Sequence, residues 1–203
     1  MPHSLPLFEE LVVVADDPGE FLTRINHALL SILRRTRTPM FASAFYLYID
    51  AATGDLRFAN AGHPKPLHVS RSRGTIELLS ETSLRSGAAL GVFDEAHYET
   101  HATRMDTGDS VLLFTDVLYE VEEPCGEYFD QSRLIDAVRR RLSLPTEQLI
   151  DELLKEVQEY AAWQPFLDDV CLVGVEFDHL LRPGTKDEPM ELMKVSETAR
   201  VFS

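Results

Sequence analysis

The chain has 203 residues, of which 44% are hydrophobic and 26% are charged. This length and composition fit one soluble globular domain, or one domain with a tail, and they exclude repeat arrays and large multidomain assemblies. Acidic residues number 34 against 19 lysines and arginines, which gives a net charge of −15. Because binding to nucleic acids and to anionic membranes depends on clustered Lys and Arg, we expect neither as a partner. The acidic balance suits cations or basic partners, although solubility is the simpler explanation.

The two cysteines, Cys125 and Cys171, are too few for a disulfide framework and do not form a Cys-x-x-Cys pair. The first 15 residues carry acidic rather than basic residues before their apolar patch, which is the wrong charge order for a secretory signal. No apolar run approaches the roughly 20 residues needed to cross a bilayer. We therefore expect a soluble protein of the cytoplasm.

The first half of the chain predicts a helix followed by a hairpin. Residues 18–35 have helical periodicity, with Asp17 as the N-cap and Pro18 as the first helical residue. Residues 41–49 predict a strand with apolar side chains on both faces, which is typical of a strand in the interior of a sheet. The Gly and Asp content of residues 50–55 predicts a hairpin loop to the next strand.

The rest of the chain predicts a run of short strands and then a pair of helices. The strands are expected at residues 56–59, 67–70, 76–79, 98–104 and 110–114, the helices at residues 131–142 and 146–162, and a central strand at residues 170–177. Thr146 is the expected N-cap of the second helix. Residues 178–203 predict a flexible tail. Because helices are grouped rather than interleaved with strands, the pattern favours an α+β layered domain.

Acidic residues stand where two apolar strands meet loops. Asp116 follows the strand at residues 110–114, and Asp168 and Asp169 precede the strand at residues 170–177. If these strands are antiparallel neighbours, Asp116 and Asp168 converge at one sheet edge, where a hard cation such as Mg²⁺ or Mn²⁺ would offset their repulsion. An acid that merely ends a strand is common, so a turn-capping role is the alternative.

A further unusual run, Asn-Ala-Gly-His-Pro, spans residues 60–64. The proline after the Gly-His pair favours a rigid turn that fixes the His63 imidazole for catalysis, for a metal or for an internal hydrogen bond. By itself, this run favours a structural histidine. Motifs for P-loop, nucleophile-elbow and zinc-helix enzymes do not occur in the sequence.

Taken together, these runs resemble one family. Asn-Ala-Gly-His-Pro, then Leu-Gly-Val at residues 90–92, then Gly-Asp-x-Val-Leu-Leu-Phe-Thr-Asp at 108–116, then Asp-Asp-x-x-Leu-Val at 168–173 occur in order. The chain resembles the metal-dependent PPM (PP2C-like) protein phosphatases, in the bacterial branch of the sporulation stage II E protein and the sigma-regulating RsbU-like phosphatases. The resemblance covers about residues 15–177.

The resemblance implies an antiparallel β-sandwich flanked by helices, with two Mn²⁺ or Mg²⁺ ions that activate a water to attack phosphoserine or phosphothreonine. It assigns Asp116 and Asp168 as metal ligands and Asp169 to a supporting position. It also implies that Asn60, Gly62 and His63 shape the sheet near the site. The expected domain is residues 1–177, and the expected partner is a phosphorylated anti-anti-sigma type of regulatory protein.

The sequence departs from the family pattern in two places. The family's first metal-binding block, an Asp followed by Gly-His-Gly, does not occur, so the domain is expected to be N-terminally shortened. The missing strands would leave an open sheet edge, covered by the N-terminal segment or by a neighbouring chain in a homodimer. Val117 replaces the Gly of Thr-Asp-Gly, and a Val would be strained there if the backbone needs a positive φ.

Three functions follow from these observations. The first is an active metal-dependent phosphatase. The second is a catalytically impaired pseudophosphatase that serves as a binding or dimerisation module in stress signalling. The third, a haloacid-dehalogenase-type phosphotransferase, is disfavoured because Leu118 stands where a second Asp is required and because the expected sheet is antiparallel.

Overall fold

The structure is a computed structural model that describes residues 7–34, 40–80, 87–119, 121–123, 126–166, 168–177 and 195–202. The α-helices are α1 (Leu7–Val12), α2 (Pro18–Leu33), α3 (Gln131–Arg139) and α4 (Thr146–Tyr160). The strands are β1 (Ala44–Asp50), β2 (Asp55–Ala61), β3 (Leu67–Ser70), β4 (Thr75–Leu78), β5 (His101–Arg104), β6 (Ser110–Phe114), β7 (Val170–Phe177) and β8 (Val195–Phe202). A short 3₁₀ helix spans Asp116–Tyr119. None of the described helices is both long and apolar enough to cross a bilayer.

The strands form two antiparallel sheets. The first has the order β1-β2-β5, and the second has the order β4-β3-β6-β7-β8. Every strand pairing within both sheets is antiparallel. This arrangement confirms the α+β class and the antiparallel sheets that the sequence predicts, and it places β7 in the interior of its sheet as expected.

The chain divides into two compact units, the first of which comprises residues 1–63 and 81–104. In this unit, α2 begins as predicted, because the Asp17 carboxylate accepts a hydrogen bond from the Glu20 N–H and Pro18 occupies the first turn. Leu22 is buried against β2, whereas Ile32, near the end of α2, is exposed. The apolar face therefore turns outward toward the end of α2.

The second unit comprises residues 64–80 and 105–203 and holds the larger hydrophobic core, in which α3 and α4 contribute apolar side chains beside β3, β6 and β7. Gly174 of β7 allows α4 to approach closely, because a Cβ at this position would lie 2.4 Å from the Thr146 Cγ2 atom. Thr146 is not an N-cap as predicted. It is the first helical residue, its N–H donates to the Glu176 carboxylate (3.0 Å), and its hydroxyl accepts from Arg71 (3.0 Å).

Two other expectations differ from the structure. β1 is an edge strand with half-buried residues, not an interior strand. The prediction was wrong because apolar side chains on both faces of a strand do not reveal whether both of its backbone edges are paired. Residues 195–202, expected to belong to a flexible tail, form β8 along the full length of β7. Residues 178–194 of the expected tail and Cys125 lie outside the described residues.

Candidate functional site

The two strand-end acids occupy the same end of one strand pair. β6 and β7 are antiparallel neighbours, with Phe114 opposite Leu172, so the end of β6 and the start of β7 coincide. Asp116 follows β6 and Asp168 precedes β7, and both side chains are exposed. The sequence predicts that Asp116 and Asp168 converge if their two strands are antiparallel neighbours. The structure meets this condition.

Thr115 ties the two segments together. Its N–H donates to the Cys171 carbonyl (3.0 Å), its hydroxyl accepts from the Cys171 N–H (3.0 Å), and the same hydroxyl donates to the Asp169 carbonyl (3.3 Å). The Asp168 carboxylate accepts the N–H of Asp169 at 2.8 Å. Thr115 therefore positions the backbone on which both acids stand. These hydrogen bonds form only because β6 and β7 are paired, so the sequence could not predict them. It showed only that Thr115 belongs to the Thr-Asp motif.

Val117 is not strained. It lies in the 3₁₀ helix with a φ that is not positive, and its side chain is 6% exposed within the large core. The expectation of strain therefore does not hold, because the helical turn after Asp116 keeps the backbone in a region open to any residue. Tyr119 ends the same turn, and burial raises its pKa to about 12, so that its phenol remains neutral near pH 7.

The Asn-Ala-Gly-His-Pro run forms a closed turn at the end of β2. The buried Asn60 amide donates to the His63 carbonyl (3.0 Å), and its oxygen accepts the His63 N–H (2.8 Å). Gly62 has a φ of 73°, and a Cβ there would meet the Ala89 backbone at 3.2 Å. The His63 ring lies 6.3 Å from the ring of Phe45, centroid to centroid. These contacts fix the shape of the turn itself within the first unit, and the role of Asn60, Gly62 and His63 near the acids stays a prediction.

The second unit contains a buried His–Asp pair that the sequence analysis missed. His68 Nε2 lies 3.1 Å from Asp109 Oδ2, and the two side chains are 4% and 0% exposed. The same carboxylate oxygen accepts the Asp106 N–H (3.0 Å) and lies 3.7 Å from the Arg73 guanidinium. Asp109 Oδ1 is buried and has no hydrogen-bond partner. Asp109 is part of the motif at residues 108–116 that resembles the phosphatase family. Its place in that motif was the sign in the sequence that this acid could matter.

The donor chemistry at the β6–β7 edge fits a hard divalent cation only in part. Asp116 and Asp168 offer carboxylate oxygens, which Mg²⁺ and Mn²⁺ prefer. Within the part of the chain that the structure describes, however, no three His, Cys, Asp or Glu side chains form a group that could hold a metal ion. These two acids therefore have the right ligand type but are too few to build a two-ion centre by themselves.

Comparison with known proteins places the chain in a family. The family model "Stage II sporulation protein E (SpoIIE)" matches residues 2–178. The phosphoserine phosphatase RsbP of Bacillus subtilis (strain 168) is 24% identical over 172 residues, which cover 84% of this chain and 40% of RsbP. The chain spans only 20% and 40% of the lengths of the two curated relatives that it matches.

Two solved structures show the same fold. The SiaA-PP2C domain of Pseudomonas aeruginosa has a TM-score of 0.66 at 22% identity, covering 85% of this chain and 69% of that one. The Mn-presoaked phosphatase domain of SpoIIE from Bacillus subtilis has a TM-score of 0.58 at 18% identity, covering 94% and 80%. Because the family model spans nearly the whole chain and the fold agrees, this chain belongs to the SpoIIE family of PPM-type (PP2C-like) phosphatases.

Proposed function

We propose that the chain is a phosphoprotein phosphatase domain that hydrolyses phosphoserine or phosphothreonine on a regulatory protein of the anti-anti-sigma type. The observation that supports this proposal is that β6 and β7 are antiparallel neighbours, with Asp116 just after β6 and Asp168 just before β7, so that both acids stand at the same end of the pair. Family membership and the likeness to a phosphoserine phosphatase support the same reaction. The substrate class comes from the resemblance and is part of the proposal.

The charge at this edge supports a requirement for a cation. Asp116, Asp168 and Asp169 are all exposed there, on a chain whose net charge is −15. These carboxylates would repel a phosphate ester unless a positive ion stood between them. We therefore propose that Asp116 and Asp168 supply oxygen ligands to Mn²⁺ or Mg²⁺, with the remaining ligands coming from outside this pair. When bound, such an ion supplies Lewis acidity and an activated water.

The structure weakens the case for a pseudophosphatase. That alternative rests on the absent Asp and Gly-His-Gly block and on Val117. The second support falls away, because Val117 occupies an unstrained helical turn and fills the core. The likeness to a named phosphatase also favours the enzyme over a binding module. We further propose that the protein acts in the cytoplasm, where a reducing environment suits the free thiol of Cys171.

Hydrolysis by the full chain tests the proposal. We expect Mn²⁺-dependent release of phosphate from p-nitrophenyl phosphate and from a phosphoserine peptide. Asp116→Asn and Asp168→Asn should each lower this activity by at least about a hundredfold, since each removes a charged ligand. Magnesium in place of manganese then shows which ion supports the reaction.

Asp136→Asn is the matched control, because Asp136 is an exposed acid on α3 whose partner is Arg139. It should keep the full activity of the unsubstituted chain. Background hydrolysis by the unsubstituted chain with either ion would overturn the proposal. Activity that survives both strand-end substitutions would instead disprove the assignment of the two ligands.

A further inference from the structure

Two exposed aromatic residues of the second unit lie around one hydrogen bond. The hydroxyl of Tyr160, in the last turn of α4, donates to the Glu127 carbonyl (3.1 Å). Tyr128 adjoins Glu127 in the sequence, and Trp163 follows Tyr160 by three residues. Tyr128 is 55% exposed and Trp163 is 64% exposed. We call these two residues the aromatic rim.

The aromatic rim is connected directly to the strand-end acids. On one side, the turn Asp116–Tyr119 leads into residues 121–129, which fold back on themselves as a hairpin. On the other side, Trp163 precedes Asp168 by five residues, so their Cα atoms lie at most about 18 Å apart. An extended peptide of about five residues can therefore reach from the acids to the rim.

The backbone of Trp163 is fixed, while its side chain is left in solvent. The Ala162 N–H donates to the Glu159 carbonyl (3.0 Å), and the Trp163 N–H donates to the Gln158 carbonyl (2.9 Å), which closes the end of α4. At helix ends of this type, an apolar residue in the position of Trp163 commonly packs back on the helix. Because Trp163 instead stays mostly exposed, its ring is available to a partner, and its fixed backbone limits the entropy lost on binding.

The surroundings of the aromatic rim are acidic. Residues 105–132 and 156–181 contain no Lys or Arg. Glu122 and Glu159, which lie beside the rim, are both exposed. Ions held by the strand-end acids would leave the charges of these two glutamates in place. The rim should therefore attract a positively charged side chain and repel an acidic one.

Arg133 shows what kind of cation such surroundings bind. Its guanidinium lies over the Tyr160 ring, 5.1 Å from the ring centroid, and pairs with the Glu127 carboxylate (2.8 Å). A guanidinium between an aromatic face and a carboxylate is stabilised by both. Tyr128 and Trp163 offer exposed rings beside the same acidic segments. The chemistry of the rim therefore suits an arginine from a partner protein.

We propose that the aromatic rim selects phosphoserine or phosphothreonine substrates that carry an arginine within about five residues of the phosphate. The arginine side chain stacks on Trp163, with Tyr128 beside it, and the exposed glutamates supply the opposite charge. The phosphate group then lies at the strand-end acids. This inference rests on the proposed phosphatase function and adds the kind of substrate sequence that the site accepts. Trp163 is thus a specificity-determining residue.

Rates on matched phosphopeptides test this inference. The substrates are alanine-based peptides with a central phosphoserine and with Arg, Gln or Glu at one position, placed in turn along the five residues on either side. With the full chain and Mn²⁺, the best-placed Arg peptide should exceed its Gln counterpart about fivefold in kcat/KM, and the Glu peptide should be the slowest. Added sodium chloride should reduce this preference, because it screens exposed charges.

Substitutions at position 163 separate stacking from a merely structural effect. Trp163→Leu keeps an apolar side chain but removes the aromatic face, so the ratio of Arg to Gln rates should fall to less than about half its value. Trp163→Phe should retain more of the ratio than Trp163→Leu does. A general loss of folded protein lowers both rates and leaves the ratio unchanged. Phe41→Leu alters an exposed aromatic residue of the first unit and is the control, which should keep the full ratio.

Tryptophan fluorescence gives a measurement that does not depend on hydrolysis. Trp163 is the only tryptophan of the chain, so its emission reports contact with its own ring. Peptides with a non-hydrolysable phosphonate in place of the phosphate should change this emission, and the Arg peptide should do so at a lower concentration than the Gln peptide. If this difference appears while no phosphopeptide is hydrolysed, the proposed phosphatase function fails and the preference of the rim stands.

Three results would overturn the inference. Equal release of phosphate from the Arg and Gln peptides would do so while leaving the proposed phosphatase function intact. Coincident fluorescence titrations with the two phosphonate peptides would do so whether or not hydrolysis occurs. A preference for Arg that survives Trp163→Leu unchanged would show that the selection is made elsewhere.

Discussion

Val117 stands directly after the strand-end acid Asp116, and its side chain contributes to the core of the second unit. The turn that carries Asp116 is therefore anchored to the core by the apolar side chains of Val117 and Leu118, and Leu118 is fully buried. A glycine here would remove these contacts and add backbone freedom. Position 117 thus supports the acid through burial rather than through an unusual backbone conformation.

Val117→Gly should lower the free energy of unfolding by about 2–4 kcal/mol, since it combines the loss of a buried side chain with the entropic cost of glycine. Urea denaturation at neutral pH measures this difference. Val13→Gly, at an exposed position in the turn after α1, is the control and should change the stability by less than about 1 kcal/mol. Equal stability of Val117→Gly and the unsubstituted chain would contradict the proposed role of Val117.

The buried pair of His68 and Asp109 shows how much of a site's surroundings depends on strand register. The two residues are 41 positions apart, and they meet because β3 lies beside β6, with Val69 opposite Ser110. An acid with no solvent exposure is costly unless it is compensated, and His68, Arg73 and the Asp106 N–H all face one oxygen of Asp109. The network therefore fixes the start of β6, the strand that delivers Asp116.

At the scale of elements, α3 and α4 are joined by a charged clamp. Arg140 and Arg141 at the end of α3 both reach Glu156 on α4, with Arg141 at 2.6 Å. Burial raises the pKa of the Glu156 carboxyl, but the hydrogen bonds from Arg141 and Arg140 outweigh this effect and hold the pKa below its usual value of 4.5. The ionised form is therefore favoured by folding.

Glu156→Gln should lower the free energy of unfolding by on the order of 1 kcal/mol at neutral pH. A carboxyl whose pKa is depressed by folding adds stability above its unfolded pKa, and that contribution is lost as the pH falls through the folded pKa. The stabilities of the two chains should therefore converge below about pH 4.5. Urea denaturation at several pH values measures this.

Glu152→Gln is the matched control for the clamp, because Glu152 is an exposed acid on the same helix. Its stability should follow that of the unsubstituted chain at every pH. A constant difference between Glu156→Gln and the unsubstituted chain from neutral to acid pH would show that the clamp acts without ionisation of Glu156.

At the scale of the whole molecule, turn chemistry and periodicity predicted most of the elements. The helix start at Asp17 and the limits of β6 and β7 follow from capping and from apolar runs. The position of β1 at a sheet edge did not follow, because side-chain pattern reports the burial of faces and not the pairing of backbone edges. The strand-end acids were predictable since each borders an apolar run, whereas the contacts of Thr115 needed the β6–β7 register.

The pairing of β8 with β7 affects how a fragment of this protein should be chosen for experiments. The family match ends at residue 178, so a fragment cut there would retain every family motif and lose β8. The eight-residue edge of β7 would then face solvent, in a strand that is apolar apart from Glu176. Exposed apolar edges of this length promote aggregation.

Light scattering should therefore detect more aggregate in a fragment of residues 1–178 than in the full chain at equal concentration. Equal scattering would mean that β8 does not protect the edge. If the fragment does aggregate, a low phosphatase activity measured on it would reflect a lower concentration of soluble protein. It would not show that the site is inactive. The full 203 residues are accordingly the proper material for assays of Asp116 and Asp168.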